Sequence, residues 1–191
     1  MRPVSLFSAT FLDTTRKGVA DLSNGDLAAA RKRDEETLAR KPDDPETLNN
    51  LGLTLERLGQ RDDAITRFSR AAQLTPQNWA FHLNLAHALS EKRDWVRAVS
   101  EYRIAAGLFP TDAATQYNLA MTLQAKGDDQ AAIPVFEKAI QLAPSAPASH
   151  LGLAASLEKA GRIADAKLEY QRYLDLAPAA PDAAAVRTHL Q

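Results

Sequence analysis

The chain has 191 residues, a formal net charge of −1, 45% hydrophobic and 25% charged residues, and no cysteine. That composition is ordinary for one compact domain or one short repeat array. It excludes disulfides, thiolate metal sites and thiol nucleophiles, and the near-zero charge argues against nucleic acid as a partner, which would need a basic face.

Residues 1–10 read as an N-terminal arm. The stretch Val4–Leu12 is apolar, but Ser5, Ser8 and Thr10 interrupt it and no Ala-x-Ala site comes after it, so it makes only a faint secretory signal. No apolar run approaches the roughly 18 residues that a bilayer span needs, so no transmembrane segment is expected. Further along, Arg31, Lys32 and Arg33 run directly into Asp34, Glu35 and Glu36, the mixture of a solvated helix face.

A repeat emerges from the prolines. Pro42, Pro76, Pro110, Pro144 and Pro178 are spaced 34 residues apart without an insertion. Ala30, Ala64, Ala98, Ala132 and Ala166 keep the same period, as do Leu51, Leu85, Leu119 and Leu153, and Leu55, Leu89, Leu123 and Leu157. Phe68, Tyr102, Phe136 and Tyr170 form an aromatic column, and Leu74, Leu108, Leu142 and Leu176 precede the prolines.

Within one unit the spacing is helical. Leu48, Leu51 and Leu55 share a stripe. Gly59 can end that helix in a left-handed conformation, and Asp62 or Asp63 can help to start the next. Ala64, Phe68, Ala71 and Leu74 continue at helical spacing until Pro76 stops the helix. Each unit is thus a helix, a short turn, a helix and a proline stop. Small residues at Gly52, Ala86, Ala120 and Ala154 on the first helix face the alanine column on the second, so the two helices can approach closely. One pair cannot bury its apolar face alone, and stacking of neighbours builds the core.

These columns set the boundaries: a degenerate unit at 11–44, four regular units at 45–78, 79–112, 113–146 and 147–180, and a short final helix at 181–191. The first unit keeps Gly18, Gly25, Ala30, Leu38 and Pro42 but places Lys17, Asp21 and Asp34 where later units have Leu, Leu and an aromatic. Those charges are expected to face water, as in a capping unit, unless the arm folds back and changes the register. Pro134 is expected near the first turn of its helix, where a missing amide hydrogen is tolerated. Tyr173 replaces the alanine of the earlier units and predicts looser stacking of the segment after it. Pro181 starts the last helix, with Ala183, Val186 and Leu190 on one face.

The columns around Leu51-Gly52, Ala64, Phe68, Ala71 and Pro76 resemble the tetratricopeptide repeat family, closely over about residues 45–180 and loosely over 11–44. The strict period and the neutral charge separate them from the RNA-binding pentatricopeptide repeats. The resemblance implies an all-α, right-handed α-solenoid of antiparallel helix pairs, with the first helices lining a concave groove. It implies a non-enzymatic scaffold, of bacterial type in its alanine-rich character, that binds a protein or peptide partner there. Asn50, Asn84 and Asn118 recur at the repeat period, and an asparagine ladder of this kind can hold a peptide backbone; Gly152 ends the row. Leu53, Leu83, His87, Tyr117, Met121 and Leu151 lie beside it, more apolar than a solvated face needs. Each of these residues can instead pack within the array.

Glu56, Arg57, Gln124, Glu158 and Lys159 form a charged edge, and the cluster of basic residues that grips a terminal carboxylate in some family members is missing. His82 and His150 fall near the packing between repeats, while His82 and His87 are five apart and so on different helix faces. Neither a phosphate loop, a nucleophile elbow nor a metal site is legible, so no cofactor is expected. Trp79 and Trp95 read as packing residues. The alternative is a structural or assembly subunit of a larger complex, held through its edges, convex face or N-terminal arm. Nothing selects a compartment: cytoplasmic is the default, and periplasmic applies if a targeting segment is real.

Overall fold

A computed structural model describes residues 26–191. Among them the chain is all helix, with no strand: α1 (Leu27–Arg40), α2 (Pro45–Arg57), α3 (Arg61–Leu74), α4 (Trp79–Glu91), α5 (Trp95–Leu108), α6 (Ala113–Lys126), α7 (Asp129–Leu142), α8 (Pro147–Lys159), α9 (Ile163–Leu176) and α10 (Ala183–Thr188). They form two compact units, one ending at Phe109 and the other spanning Pro110–Gln191. In the first, α2 pairs with α3 and α4 with α5, while α1 packs on α2 and α3 on α4. In the second, α6 pairs with α7 and α8 with α9, α7 packs on α8, and α10 closes against α9.

Local chemistry sets the helix ends. Asp26, Asp44, Asp94, Asp112 and Asp128 each accept an N–H from the first turn they precede, and Asn78 does the same for α4. Asp62 and Asp63 help to start α3 from within its first turn, where their charge complements the positive end of the helix dipole, while the cap position is Gln60. Gln60, Ala146 and Arg162 supply no side-chain cap. The turn inside each pair needs one left-handed residue, supplied by Gly59, Gly127 and Gly161 at φ of 78°, 89° and 77°. In the pair α4–α5 that position is Arg93, at φ 62°.

Leu51, Leu55, Phe68, Leu85, Leu89 and Tyr102 are buried in the first unit, and Leu119, Leu123, Phe136, Leu153, Leu157 and Tyr170 in the second. These are the apolar columns of the repeat.

Several expectations change. Lys17, Asp21, the arm 1–10, Gly18 and Gly25 lie outside the described residues. Asp34 does not face water: it is 5% exposed, with Oδ1 accepting from Arg33 at 3.4 Å. It occupies the aromatic column of its unit, and the helix turns that position toward α2 whatever residue fills it. Pro134 is sixth in α7 and therefore past the first turn. The helix continues through it, and its exposed position leaves the freed Gln130 carbonyl able to meet water. Tyr173 does not loosen the segment after it. The ring is buried, its hydroxyl donates to Asp182, and Ala183 and Val186 are buried beyond it. Leu190 lies past the end of α10 and is half-buried; Lys167 donates to its carbonyl at 3.0 Å.

The helix ends allow two tests of stability. Ala146→Asp restores the cap that Asp44 and Asp112 supply to α2 and α6, and should raise unfolding free energy by about 1 kcal/mol in urea denaturation. Arg93→Gly removes the cost of a left-handed L-residue, about 1–2 kcal/mol, against the extra freedom of glycine in the unfolded chain. A net gain of roughly 0.5–1 kcal/mol is expected by the same measurement.

Candidate functional site

The first helices carry the candidate residues. In the first unit Asn50 and Leu53 lie one turn apart on α2, and Leu83 and His87 lie one turn apart on α4, all four half-buried. α2 and α4 touch directly. Two polar bonds join them there. Asn84 Nδ2 donates to Asn49 Oδ1 at 2.8 Å, and His87 Nδ1 meets Glu56 Oε1 at 3.2 Å. Asn84 is only 6% exposed and spends one amide N–H on this bond within the array. Asn49 is the member of this group that the repeat pattern does not single out. Its column holds Leu83, Tyr117 and Leu151, so its polarity has no periodic signal.

In the second unit Tyr117, Asn118 and Met121 lie on α6 and Leu151 on α8, again half-buried. Tyr117 meets Phe136 edge-on, with ring centroids 6.1 Å apart, and burial raises its phenol pKa. Gln124 Nε2 donates to the Gly152 carbonyl at 2.9 Å and to Ser156 Oγ at 2.7 Å. The candidates of each unit thus line that unit's own first-helix face.

The aromatic column decides much of this geometry. A Cβ added at Gly52 would come within 2.5 Å of the Phe68 ring, and one added at Gly152 within 2.4 Å of the Phe136 ring. At Gly152, where the asparagine row ends, the Phe136 ring occupies the space a side chain would take. The tyrosines behave differently, each hydroxyl finding a partner on its own first helix. Tyr170 donates to Glu158 at 2.8 Å, and Tyr102 bonds Ser90. Phenylalanine makes no such bond, and in those units the corresponding residues, Glu56 and Gln124, reach the next first helix instead. The charged edge expected from sequence is therefore used internally. Glu158 also meets His189 at 3.0 Å, and the hydrogen bonds from His189 and Tyr170 hold its carboxyl below the usual range. Lys159 pairs with Asp129 at 3.2 Å.

The histidines fall into two kinds. His87 lies on the face. His82 and His150 are buried in one repeated arrangement: His82 Nδ1 is 2.7 Å from Glu101 and Nε2 3.1 Å from the Pro76 carbonyl, while His150 Nδ1 is 2.6 Å from Glu169 and Nε2 3.0 Å from the Pro144 carbonyl. Trp79 stacks obliquely on Phe109, centroids 4.9 Å apart. Among the described residues no three histidine or carboxylate side chains converge on a metal-sized site, and no helix is long and apolar enough to cross a membrane.

Gly152→Ala should lower stability by about 1–3 kcal/mol in denaturant unfolding, because the added methyl would overlap the fully buried Phe136 ring.

No curated protein sequence matches the chain. Solved structures do. A crystal structure of MamA is 22% identical with a TM-score of 0.80, covering 86% of this chain and 96% of its own. MamA 41-end from Desulfovibrio magneticus RS-1 is 20% identical with a TM-score of 0.77, covering 86% and 93%. YrrB, described as a TPR protein with an unusual peptide-binding site, is 15% identical with a TM-score of 0.83, covering 90% and 88%. At these identities the likeness is one of fold, the tandem antiparallel helix pair. The tetratricopeptide repeat family model matches residues 15–60, 49–113 and 117–181, and with the 34-residue columns this places the chain in the tetratricopeptide repeat family.

Proposed function

We infer that the chain is a non-enzymatic protein–protein interaction scaffold whose first-helix faces hold an extended segment of a partner protein. Membership of the tetratricopeptide repeat family supports a general protein-binding role. The peptide-binding site named for YrrB supports the narrower reading of a peptide ligand.

The observation that carries the reading is the Asn49–Asn84 bond between α2 and α4. It holds two side-chain amides in one arrangement. With one Asn84 N–H and the Asn49 carbonyl engaged, the Asn84 carbonyl and the Asn49 amide N–H groups are of the kinds that complement one backbone peptide group. Around them Leu53, Leu83 and His87 offer half-buried apolar and aromatic surface for side chains that flank that peptide group. Asn118, Tyr117, Met121 and Leu151 give the second unit a face of similar chemistry, without the second asparagine.

The test uses a fluorescent peptide selected against the native protein from a displayed random library. Asn84→Ala with Asn118→Ala should weaken its binding by about 1–2 kcal/mol, roughly five- to thirtyfold, as expected for lost hydrogen bonds to a peptide backbone. Binding unchanged in the double variant removes the asparagines from the account.

A second reading, an assembly subunit held by its second helices, is favoured by Val96 and Leu168, which are 69% and 64% exposed. Glutamate at both positions would leave peptide binding intact under the first reading and abolish assembly under the second.

A further inference from the structure

His82 sits where three pieces of chain meet: its own helix α4, the second helix α5 of the same pair, and the turn after α3 that carries Pro76. The ring is buried, and both nitrogens face acceptors. Glu101 Oε2 is 2.7 Å from Nδ1, and the Pro76 carbonyl is 3.1 Å from Nε2. A carboxylate and a carbonyl can only accept. Neutral imidazole carries one N–H, so it can satisfy one of them and must turn a lone pair toward the other; imidazolium carries two and satisfies both. Among the described residues Glu101, from α5, is the charged group that acts on the ring, and the turn contributes the Pro76 carbonyl.

We propose that His82 is a protonation-dependent clasp, which fastens the turn between α3 and α4 to Glu101 when the ring is charged and releases one of its two bonds when the ring loses its proton. The clasp bears on the proposed binding face. α4 carries Leu83, Asn84 and His87, and the turn that His82 grips is the link that sets α4 against the preceding pair. Releasing it loosens the base on which the Asn49–Asn84 and Glu56–His87 bonds are held. The clasp itself does not depend on that face being a binding site.

The arrangement recurs 68 residues later, where His150 meets Glu169 and the Pro144 carbonyl. In the unit between, the same position is Gln116, also buried. Gln116 shows that a neutral amide fits this place in the repeat, which supplies a conservative variant.

The hydrogen bond that His82 donates to Glu101 raises the His82 pKa above its ordinary 6.5, against the opposing effect of burial. For a raised histidine pKa the sign is fixed: the stabilisation is fully present below about 6.5 and is lost as pH rises through the higher folded value. Opening of the turn should therefore increase as pH rises above about 6.5 and level off beyond the higher folded value.

The experiment follows the imidazole proton resonances of the full chain by NMR from about pH 5 to about pH 9, bracketing the ordinary histidine value, with His82→Gln assigning the signal. Hydrogen exchange of the amides of Thr75, Gln77, Asn78 and Trp79 is measured alongside. The proposal expects the His82 midpoint to lie above 6.5, Glu101→Gln to bring it down, and exchange at the turn to rise with pH more steeply in the native protein than in His82→Gln. A His82 midpoint at or below 6.5, or one that Glu101→Gln leaves in place, overturns it. So does an exchange profile identical in the native and His82→Gln proteins. Should His82→Gln fail to fold, the midpoint shift in Glu101→Gln still decides, because that variant keeps an acceptor beside the ring.

Discussion

Everything else in this molecule depends on how one aromatic ring is accommodated in each helix pair. The second helix of every regular unit presents a phenylalanine or tyrosine to the junction with the first helices, and all four rings are buried. Helices that carry a buried ring can pack closely only if the facing positions give up volume. Gly52 makes room for Phe68 within its own pair, and Gly152 makes room for Phe136 on the following one. The choice between Phe and Tyr then sets the polar network. A phenol hydroxyl needs a partner when buried, and takes it from Ser90 or Glu158. Without a hydroxyl, Glu56 and Gln124 are released to bridge neighbouring first helices.

The first-helix face is a consequence of that accommodation. Its half-buried residues are what remains of each first helix after the leucine stripe and the small-residue column have been covered. The bonds that stiffen the face are mostly drawn from residues that also answer to the aromatic column. This joins packing to function. A substitution under the ring alters not only the core but the set of amides and carboxylates available at the surface, because both use the same turns of the same helices.

Much of this is legible in the sequence, for a physical reason. A 34-residue period with proline stops, leucine stripes and small columns dictates helix pairs before any contact is known. The departures come where a residue's role depends on a neighbour in space. Asp34 reads as exposed because it is charged, yet helical phase places it in the aromatic column, turned toward α2. Tyr173 reads as too large for its place, yet its hydroxyl reaches Asp182 and fastens the final helix. Asn84 reads as a free amide in a periodic row, and its nitrogen belongs to Asn49. The period alone carries no trace of any of these bonds.

A longer period is nevertheless present in the letters. Asp44 and Asp112, Thr47 and Thr115, Thr54 and Thr122, Phe68 and Phe136, His82 and His150, Glu101 and Glu169, and Tyr102 and Tyr170 are identical pairs 68 residues apart. Their bonds repeat as well: Thr47 and Thr115 each donate to the preceding cap aspartate at 2.5 Å, and both histidines bridge a carboxylate and a proline carbonyl. The repeating physical unit is therefore two helix pairs. One pair carries phenylalanine and sends its polar residue outward to the next first helix; the other carries tyrosine and keeps its polar residue for the hydroxyl. The alternation of Phe and Tyr, which reads as tolerance of any aromatic when taken one unit at a time, goes with an alternation of polar partners once two units are taken together.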